Sequence, residues 1–283
     1  MCKRNAYLIM AHTDFEILKK TISILDDKNA DFYIHIDYKA KDFDLNELKT
    51  CIDKSNMYFI TSSDIRWGDR IQVDLEINML KEAVKRKYEY YHLLSGADLP
   101  LKKPEYINKF FEDNSGKNFI DFGERDQNAI DRLKYYYFFQ KNVGRNRSFM
   151  FYIQKTLLIL QKIIRVNRIR GKEDKIFKGA NWFSINHDLA SYIVSNFYKY
   201  YKIFDHTVCA DEIFLQTMVM ASPYKDTIVN NCLREIDWKR GNPYVYRNCD
   251  YELLANSDNI FARKFSTKTD NEIIERLYQR LSE

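Results

Sequence analysis

Short apolar runs alternate with stretches of helical spacing over residues 6–94, and this alternation constrains the fold more than any other feature of the chain. Residues 6–10 form an apolar run, 15–25 carry apolar side chains three and four apart, and 32–36 are apolar again between Asp31 and Asp37. That order spells strand, helix, strand. It continues with a strand over 57–60, a helix over 71–87 and a strand over 88–94 that runs into the loop 95–100. Strands separated by helices are joined by crossovers, so the pattern predicts an α/β fold with a mostly parallel sheet and helices on its faces. Ligands of such sheets bind beyond the carboxyl ends of the strands. His12, Asp37 and the loop 62–68 are therefore expected to face one cleft.

With 283 residues, 45% of them hydrophobic, the chain can bury a large core, and a single unit is expected. It divides into a first half (1–112), a mainly helical insertion (113–180) rich in Tyr, Phe, Lys and Arg, and a second half (181–283). The second half reads as a strand over 182–185, a helix over 188–199, a helix opening at Cys209-Ala210-Asp211-Glu212 and a last helix from Asn271. The formal charge of +5 is mild and dispersed, which argues against a nucleic-acid partner. Cys2, Cys51, Cys209, Cys232 and Cys249 are odd in number and lack C-x-x-C spacing, so neither a disulfide framework nor a zinc site is expected. A reducing cytoplasmic setting follows, and the apolar run at 6–10 is too brief for a signal peptide or anchor. The segment from Phe149 to Arg170 mixes Phe, Leu and Ile with Lys155, Lys162, Arg165, Arg168 and Arg170. It reads either as a basic amphipathic helix on an anionic membrane or as an ordinary helix packing its apolar face on the domain.

Three groups of residues could carry chemistry. Arg263-Lys264, between Phe261 and Phe265, pairs a planar fork with a compact point charge, a combination suited to a diphosphate. On residue types alone it reads more readily as a solvated turn between core phenylalanines. Asp37-Tyr38-Lys39 puts Lys where the second acid of an Asp-x-Asp cation site would stand, so no metal is implied. Asp211-Glu212 is either a helix N-cap pair or a cap, Asp211, beside a free base, Glu212. His12 either touches a ligand or is merely exposed, His35 reads as core, and His92, His187 and His206 show no metal-ligand spacing. Trp67-Gly68 suits stacking and close backbone approach, while Trp182 and Trp238 read as readily as packing residues.

In order along the chain, these residues resemble the core-2/I-branching N-acetylglucosaminyltransferase family, which also contains the peptide O-xylosyltransferases. The resemblance rests on Ala6-Tyr7-Leu8-Ile9 through Ala11 and His12, Ile34-His35-Ile36-Asp37-Tyr38-Lys39, Trp67-Gly68 and His92-Leu93-Leu94-Ser95-Gly96-Ala97-Asp98-Leu99-Pro100. It continues through Trp182-Phe183, Asp211-Glu212, Ile236-Asp237-Trp238 and Phe261-Ala262-Arg263-Lys264-Phe265. The resemblance implies a GT-A-like, Rossmann-type fold without a metal site, and inverting transfer of a sugar, GlcNAc first, from a UDP-sugar to a glycan or lipid-linked glycan. It makes Glu212 the general base with Asp211 supporting it. Arg263 and Lys264 become the diphosphate clamp, with Arg247 as a further candidate. Ala11, His12, Asp37, Lys39, Trp67, Gly68, Asn181 and Trp182 form the donor pocket. The xylosyltransferases use an Asp where this chain has Asn181, which favours the branching-type mechanism. The alternatives are a xylosyl or other UDP-sugar transferase and a non-catalytic carbohydrate-binding protein that keeps the fold. The lack of the animal members' anchor and many cysteines implies a bacterial-type, cytoplasmic enzyme of surface polysaccharide synthesis, with the inner face of the membrane as its further expected setting.

Overall fold

The structure is a computed structural model that describes residues 4–41, 43–124, 126–143 and 149–282. Strands β1 (Asn5–Ala11), β2 (Ala30–Ile36), β3 (Asn56–Ile60) and β4 (Tyr90–Ser95) are parallel and are joined through helices α1 (Phe15–Leu25), α2 (Leu45–Lys49) and α3 (Ile71–Val84). The α/β reading of the sequence holds, with element ends shifted by a few residues. Then follow β5 (Asp98–Pro100), α4 (Pro104–Asp113), β6 (Asn118–Ile120), α5 (Gln127–Lys134), α6 (Gln140–Val143) and α7 (Phe149–Ile163). The remainder is β7 (Phe183–Asn186), α8 (His187–Phe204), α9 (Phe214–Met220), β8 (Ile228–Asn230), β9 (Arg234–Ile236), α10 (Tyr251–Ala255), β10 (Phe261–Arg263) and α11 (Glu272–Ser282).

The main sheet has the order β3-β2-β1-β4-β7-β6-β8, and β7 runs against both its neighbours. β1 is buried on both faces, as its unbroken apolar run requires. Tyr7 and Ile9 meet α1 residues Leu18 and Ile22 on one side, while Ala6 and Leu8 join the core that includes Leu80 of α3 and Phe214 of α9 on the other. A small sheet, β5-β10-β9, packs with α10 and α11 around Leu99, Ala262 and Leu277. Its strands, like β6 and β8, have three residues each and no readable period, so the alternation of apolar residues gives no sign of them. β6 lies within 113–180 and pairs in the main sheet, so that segment supplies a strand as well as helices.

β4 and β7 pair only as far as His92 opposite Ser184 and then separate. Arg234 of β9 enters the gap: its guanidinium donates to Leu93 O at 2.9 Å, Phe183 O at 2.8 Å, Ser184 Oγ at 2.8 Å and the carbonyl of Cys232. These carbonyls would otherwise be buried without donors. From Ser184 the chain of bonds goes on to His92 Nδ1 (2.9 Å), from His92 Nε2 to Asn5 Oδ1 (3.0 Å), and from Asn5 Nδ2 to Asn108 Oδ1 of α4 (2.7 Å). Because Arg234 only donates, the Ser184 hydroxyl passes its own hydrogen to His92 Nδ1. His92 is therefore the neutral Nε2–H tautomer. Burial, with the Arg234 charge acting the same way, holds its pKa well below the usual imidazole value.

α7 inverts the ordinary helix. Its buried residues are Gln154 and Gln161, which bracket the 136–139 backbone: Gln154 Oε1 accepts from Phe139 N (3.0 Å), Gln161 Oε1 from Tyr136 N (2.7 Å), and both amides donate to Tyr136 O. Phe149, Tyr152, Ile159, Leu160, Ile163 and Ile164 are exposed, Phe149 and Ile164 by more than 70%. The reading in which this helix packs its apolar face on the domain is thus corrected, because amides were needed there to satisfy an irregular stretch of backbone. No helix among the described residues is long and apolar enough to cross a membrane. Cys51, Cys209, Cys232 and Cys249 are free, and Cys2 lies outside the described residues.

Ser184→Ala strips the Arg234–His92 relay of its middle member and leaves buried donor and acceptor groups unpaired. Urea denaturation of this variant is expected to show a loss on the order of 2–4 kcal/mol. A loss below about 0.5 kcal/mol, the usual effect of a surface substitution, would mean the relay is not continuous.

Candidate active site at the splayed strands

The gap between β4 and β7 opens toward the carboxyl end of the sheet, and Arg263 occupies its mouth. In the small sheet Arg263 of β10 pairs in register with Asp98 of β5. The buried Asp98 carboxylate also accepts from Ser95 N (2.9 Å) and Ser95 Oγ (2.7 Å), which fixes it before it meets Arg263 Nη1 at 3.1 Å. On its other side the Arg263 guanidinium lies 4.1 Å from the centre of the Trp182 ring. Nη1 is occupied, while Nε and Nη2 make no hydrogen bond within the described residues. Arg234, which burial pulls down to about 10, stays protonated at neutral pH. Two guanidinium groups thus face one carboxylate, and the crevice carries net positive charge in a low-dielectric setting.

A group of acids gathers at the turn 210–212 and at Glu76. The sequence predicts a helix opening at Cys209. Instead Ala210–Glu212 is a single 3-10 turn, and α9 begins only after Ile213 leaves helical geometry at φ −129°. Asp211 caps nothing: no N-cap bond forms, and its buried Oδ1 has no partner. The cap reading of Asp211 is corrected for that reason. Burial, followed by the Glu212 charge, pushes the Asp211 pKa up to about 7. Below it, Glu76 of α3 is fully buried with neither oxygen hydrogen-bonded. Burial and then the Asp211 charge push Glu76 well above the usual carboxylate range, and the neighbouring Asn181 side chain opposes the shift without making a regular bond.

Glu212 is half-buried. Its Oε2 accepts from Arg132 Nη1 of α5 at 2.7 Å, and Oε1 has no partner among the described residues, so one face of a positioned carboxylate is available to a ligand. Arg132 and Glu212 are eighty residues apart, and no motif foretold the pair. Asn181-Trp182 links the two halves of the site: Asn181 adjoins Glu76, and Trp182 supports Arg263.

Ala11, His12, Asp37, Lys39, Trp67 and Gly68 lie at or beyond the carboxyl ends of β1, β2 and β3. Ala11 ends β1, and its carbonyl accepts from Asp37 N at 2.9 Å. His12 follows, exposed. Asp37 organises the loop after β3, accepting from Lys39 N (2.8 Å) and Ile65 N (3.2 Å), while buried His35 accepts from Ser63 N at 3.0 Å. Lys39 is exposed and ion-paired with Asp64. Trp67 is half exposed, and Gly68, at φ +74°, takes a backbone shape that favours glycine and accepts from Cys209 N at 2.9 Å. The Trp67-Gly68 loop is thereby joined to the turn that carries Asp211 and Glu212. Lys264 is held through its backbone, donating to Tyr244 O (3.4 Å) and accepting from Tyr246 N (2.9 Å). Arg247 is exposed on another turn, near Asp270, and no hydrogen bond or ion pair among the described residues brings it to Arg263. Among the described residues no group of three His, Cys, Asp or Glu side chains is arranged to hold a metal ion.

The model of the Core-2/I-Branching enzyme family matches residues 5–256. Xylosyltransferase sqv-6 of Caenorhabditis briggsae is 23% identical over 289 residues, covering 89% of this chain and 33% of that protein. Xylosyltransferase 2 of Rattus norvegicus is 21% identical over 302 residues, covering 97% of this chain and 33% of its own length. The chain therefore spans about a third of the length of these curated relatives. Among solved structures, the apo form of mouse Xyloside xylosyltransferase 1 aligns with a TM-score of 0.40 at 10% identity, over 91% of this chain and 96% of that one.

Glu76 and Asp211 carry raised pKa values, so the folded protein keeps protons that the unfolded chain releases. Their contribution is most favourable below the ordinary carboxylate range and is lost as pH rises, for Asp211 through about 7. Glu76→Gln is expected to raise the melting temperature more at pH 8 than at pH 5, the effect of His92 cancelling in the comparison. A gain on the order of 1 kcal/mol, about 2–4 °C in domains of comparable size, is anticipated at pH 8. An equal or lower melting temperature there would contradict the assignment.

Proposed function

The chain belongs to the Core-2/I-Branching enzyme family, and from that premise we propose that it is an inverting, metal-independent glycosyltransferase acting on a UDP-sugar, with GlcNAc as the first choice of donor sugar. The observation that carries the proposal is the link, through residues 179–182, between Glu212, a carboxylate with one oxygen unpartnered among the described residues, and the crevice of net positive charge at Arg263: Gly179 N donates to Glu212 O, and Trp182 lies against Arg263. In this reaction an acceptor hydroxyl oxygen bonds to the anomeric carbon as the bond from that carbon to the diphosphate oxygen breaks. Glu212 receives the hydroxyl proton. UDP departs with the bonding electron pair toward Arg263 and Lys264, whose charge takes the part a divalent ion would play. Asp211 and Arg132 act as positioning residues for Glu212. Ala11, His12, Asp37, Lys39, Trp67, Gly68, Asn181 and Trp182 surround the donor. Arg247 is the weakest member of the proposed set, since its contacts lie elsewhere.

The names of the relatives favour xylose as the alternative donor sugar. Asn181 speaks for the branching-type mechanism, because a carboxamide cannot accept the proton there. The proposed acceptor is a glycan or lipid-linked glycan of surface polysaccharide synthesis, met at the cytoplasmic face of a membrane. The exposed face of α7 supports that setting. By helical geometry Lys155 and Lys162, two turns apart, run along one flank of the stripe formed by Tyr152, Ile159 and Ile163. Residues 149–172 contain no Asp or Glu. An apolar stripe edged by cations fits an anionic bilayer, whereas two copies of so basic a surface would repel one another.

Glu212→Gln is expected to lower transfer by about 10²–10⁴-fold, the usual share of general-base catalysis, with UDP affinity unchanged by titration calorimetry, and EDTA should leave the native rate intact. UDP binding without turnover of any sugar donor would instead favour a non-catalytic carbohydrate-binding protein, and an absolute need for manganese would overturn the cation clamp. For the membrane contact, the native protein is expected to float with vesicles containing phosphatidylglycerol, and the Ile159→Asp/Ile163→Asp variant to stay in the lower fractions. Native protein that remains at the bottom would remove the membrane from the proposal.

A further inference from the structure

A cavity of about 420 Å³ opens beside the Glu212 turn, between the loop after β6, the start of α5, residues 176–178 and the edge strand β8. Its walls are mostly apolar, with Phe122, Ile176, Phe177, Met220 and Ile228 among them. The size and lining are those of a ligand site, an apolar hollow with a few polar groups at its margin. Its two aromatic walls are also held in place beforehand. Asn230 grips the Phe122 backbone from both sides, accepting from its N–H at 2.7 Å and donating to its carbonyl at 3.3 Å. Thr217 Oγ1 does the same for Phe177, at 3.2 and 3.3 Å. The rings meet edge to face with centroids 6.4 Å apart. Lys178 and Asp126 form an ion pair of 3.3 Å in the lining.

The cavity is built into the same segment as the candidate site. Lys178 lines it, and Gly179 N donates to Glu212 O at 3.0 Å. A Cβ on Gly179 would fall 1.7 Å from Asp121 O, so the chain passes this point only as glycine. From Lys178 to Asn181 is at most about 10 Å of extended chain. Ala129 of the cavity wall and Arg132, the partner of Glu212, are three apart on α5 and share a helix face. A molecule with a hydroxyl at Glu212 therefore has this hollow within reach of its next group.

Resting on the transferase reading, we propose that the cavity is an acceptor subsite that takes an apolar group, an aromatic ring or short hydrocarbon, attached to the sugar that is glycosylated. The charged pair at Lys178 and Asp126 meets the polar sugar, and the rings of Phe122 and Phe177 meet the apolar group. The probes are 4-nitrophenyl and methyl β-glycosides of galactose, glucose and N-acetylglucosamine, offered to the full chain in the presence of UDP and followed by saturation-transfer NMR and, with donor, by KM. The aryl glycoside of at least one sugar is expected to bind tenfold or more tighter than its methyl counterpart, with the strongest saturation on the aromatic protons. Met220→Trp, which fills the cavity, and Ile228→Asp, at a half-exposed edge position, should each abolish that preference. Both should leave UDP affinity and the KM for methyl glycosides within twofold. Equal affinity for aryl and methyl glycosides, or a preference that survives both substitutions, overturns the subsite. Failure of the transferase reading shows separately, as absent donor turnover with the aryl preference still present in the NMR.

Discussion

The separation of β4 from β7 beyond His92 and Ser184 is the constraint on which the rest of the structure depends. Splayed strands expose carbonyl groups inside the protein, and the cost of leaving these without donors is met by Arg234. Once Arg234 is inside, its charge must be accommodated: Asp98 lies near enough to act on it, and Ser184 leads its hydrogen bonds through His92 and Asn5 to α4. The same opening leaves room at its mouth for Arg263 between Asp98 and Trp182. A defect in a β-ladder thus becomes a crevice with net positive charge.

Near the Asn181-Trp182 segment the protein accepts a second expense. Glu76 and Asp211 are buried with unpaired oxygens, and both carboxyl groups are pushed toward the neutral form by burial and by one another. An apolar residue at position 76 would suit the core of α3 better. Local rules broken in this way are expected where function makes demands that stability does not. Glu212 is treated differently, half-buried and held by Arg132 through one oxygen only. The contrast separates a buried acid pair from an acid held through one oxygen with the other unpartnered among the described residues.

The alternation of apolar residues over 6–94 was legible because β1, β2 and β4 are buried on both faces and α1 is amphipathic, so burial writes a period into the sequence. β5, β6 and β10 were not legible, because three residues hold no period and their pairing is decided by distant partners. α7 was legible as a helix but not in its orientation. Its two glutamines look like surface residues until the backbone at 136–139 is seen to need them.

By itself the sequence determined the mostly parallel character of the sheet around β1, the edge at which Asp37 and Gly68 gather, and the residue types able to serve a diphosphate and a proton. Those follow from interactions between near neighbours, where spacing along the chain is spacing in the molecule. Tertiary structure alone decided that Asp98 faces Arg263, that Arg132 holds Glu212, that Asp211 caps nothing, and that Arg234 seals the splayed strands. Each of these contacts joins residues remote in the chain, or turns on burial. A buried charge is assigned its partner by the shape of the fold around it, which no local pattern of residues encodes.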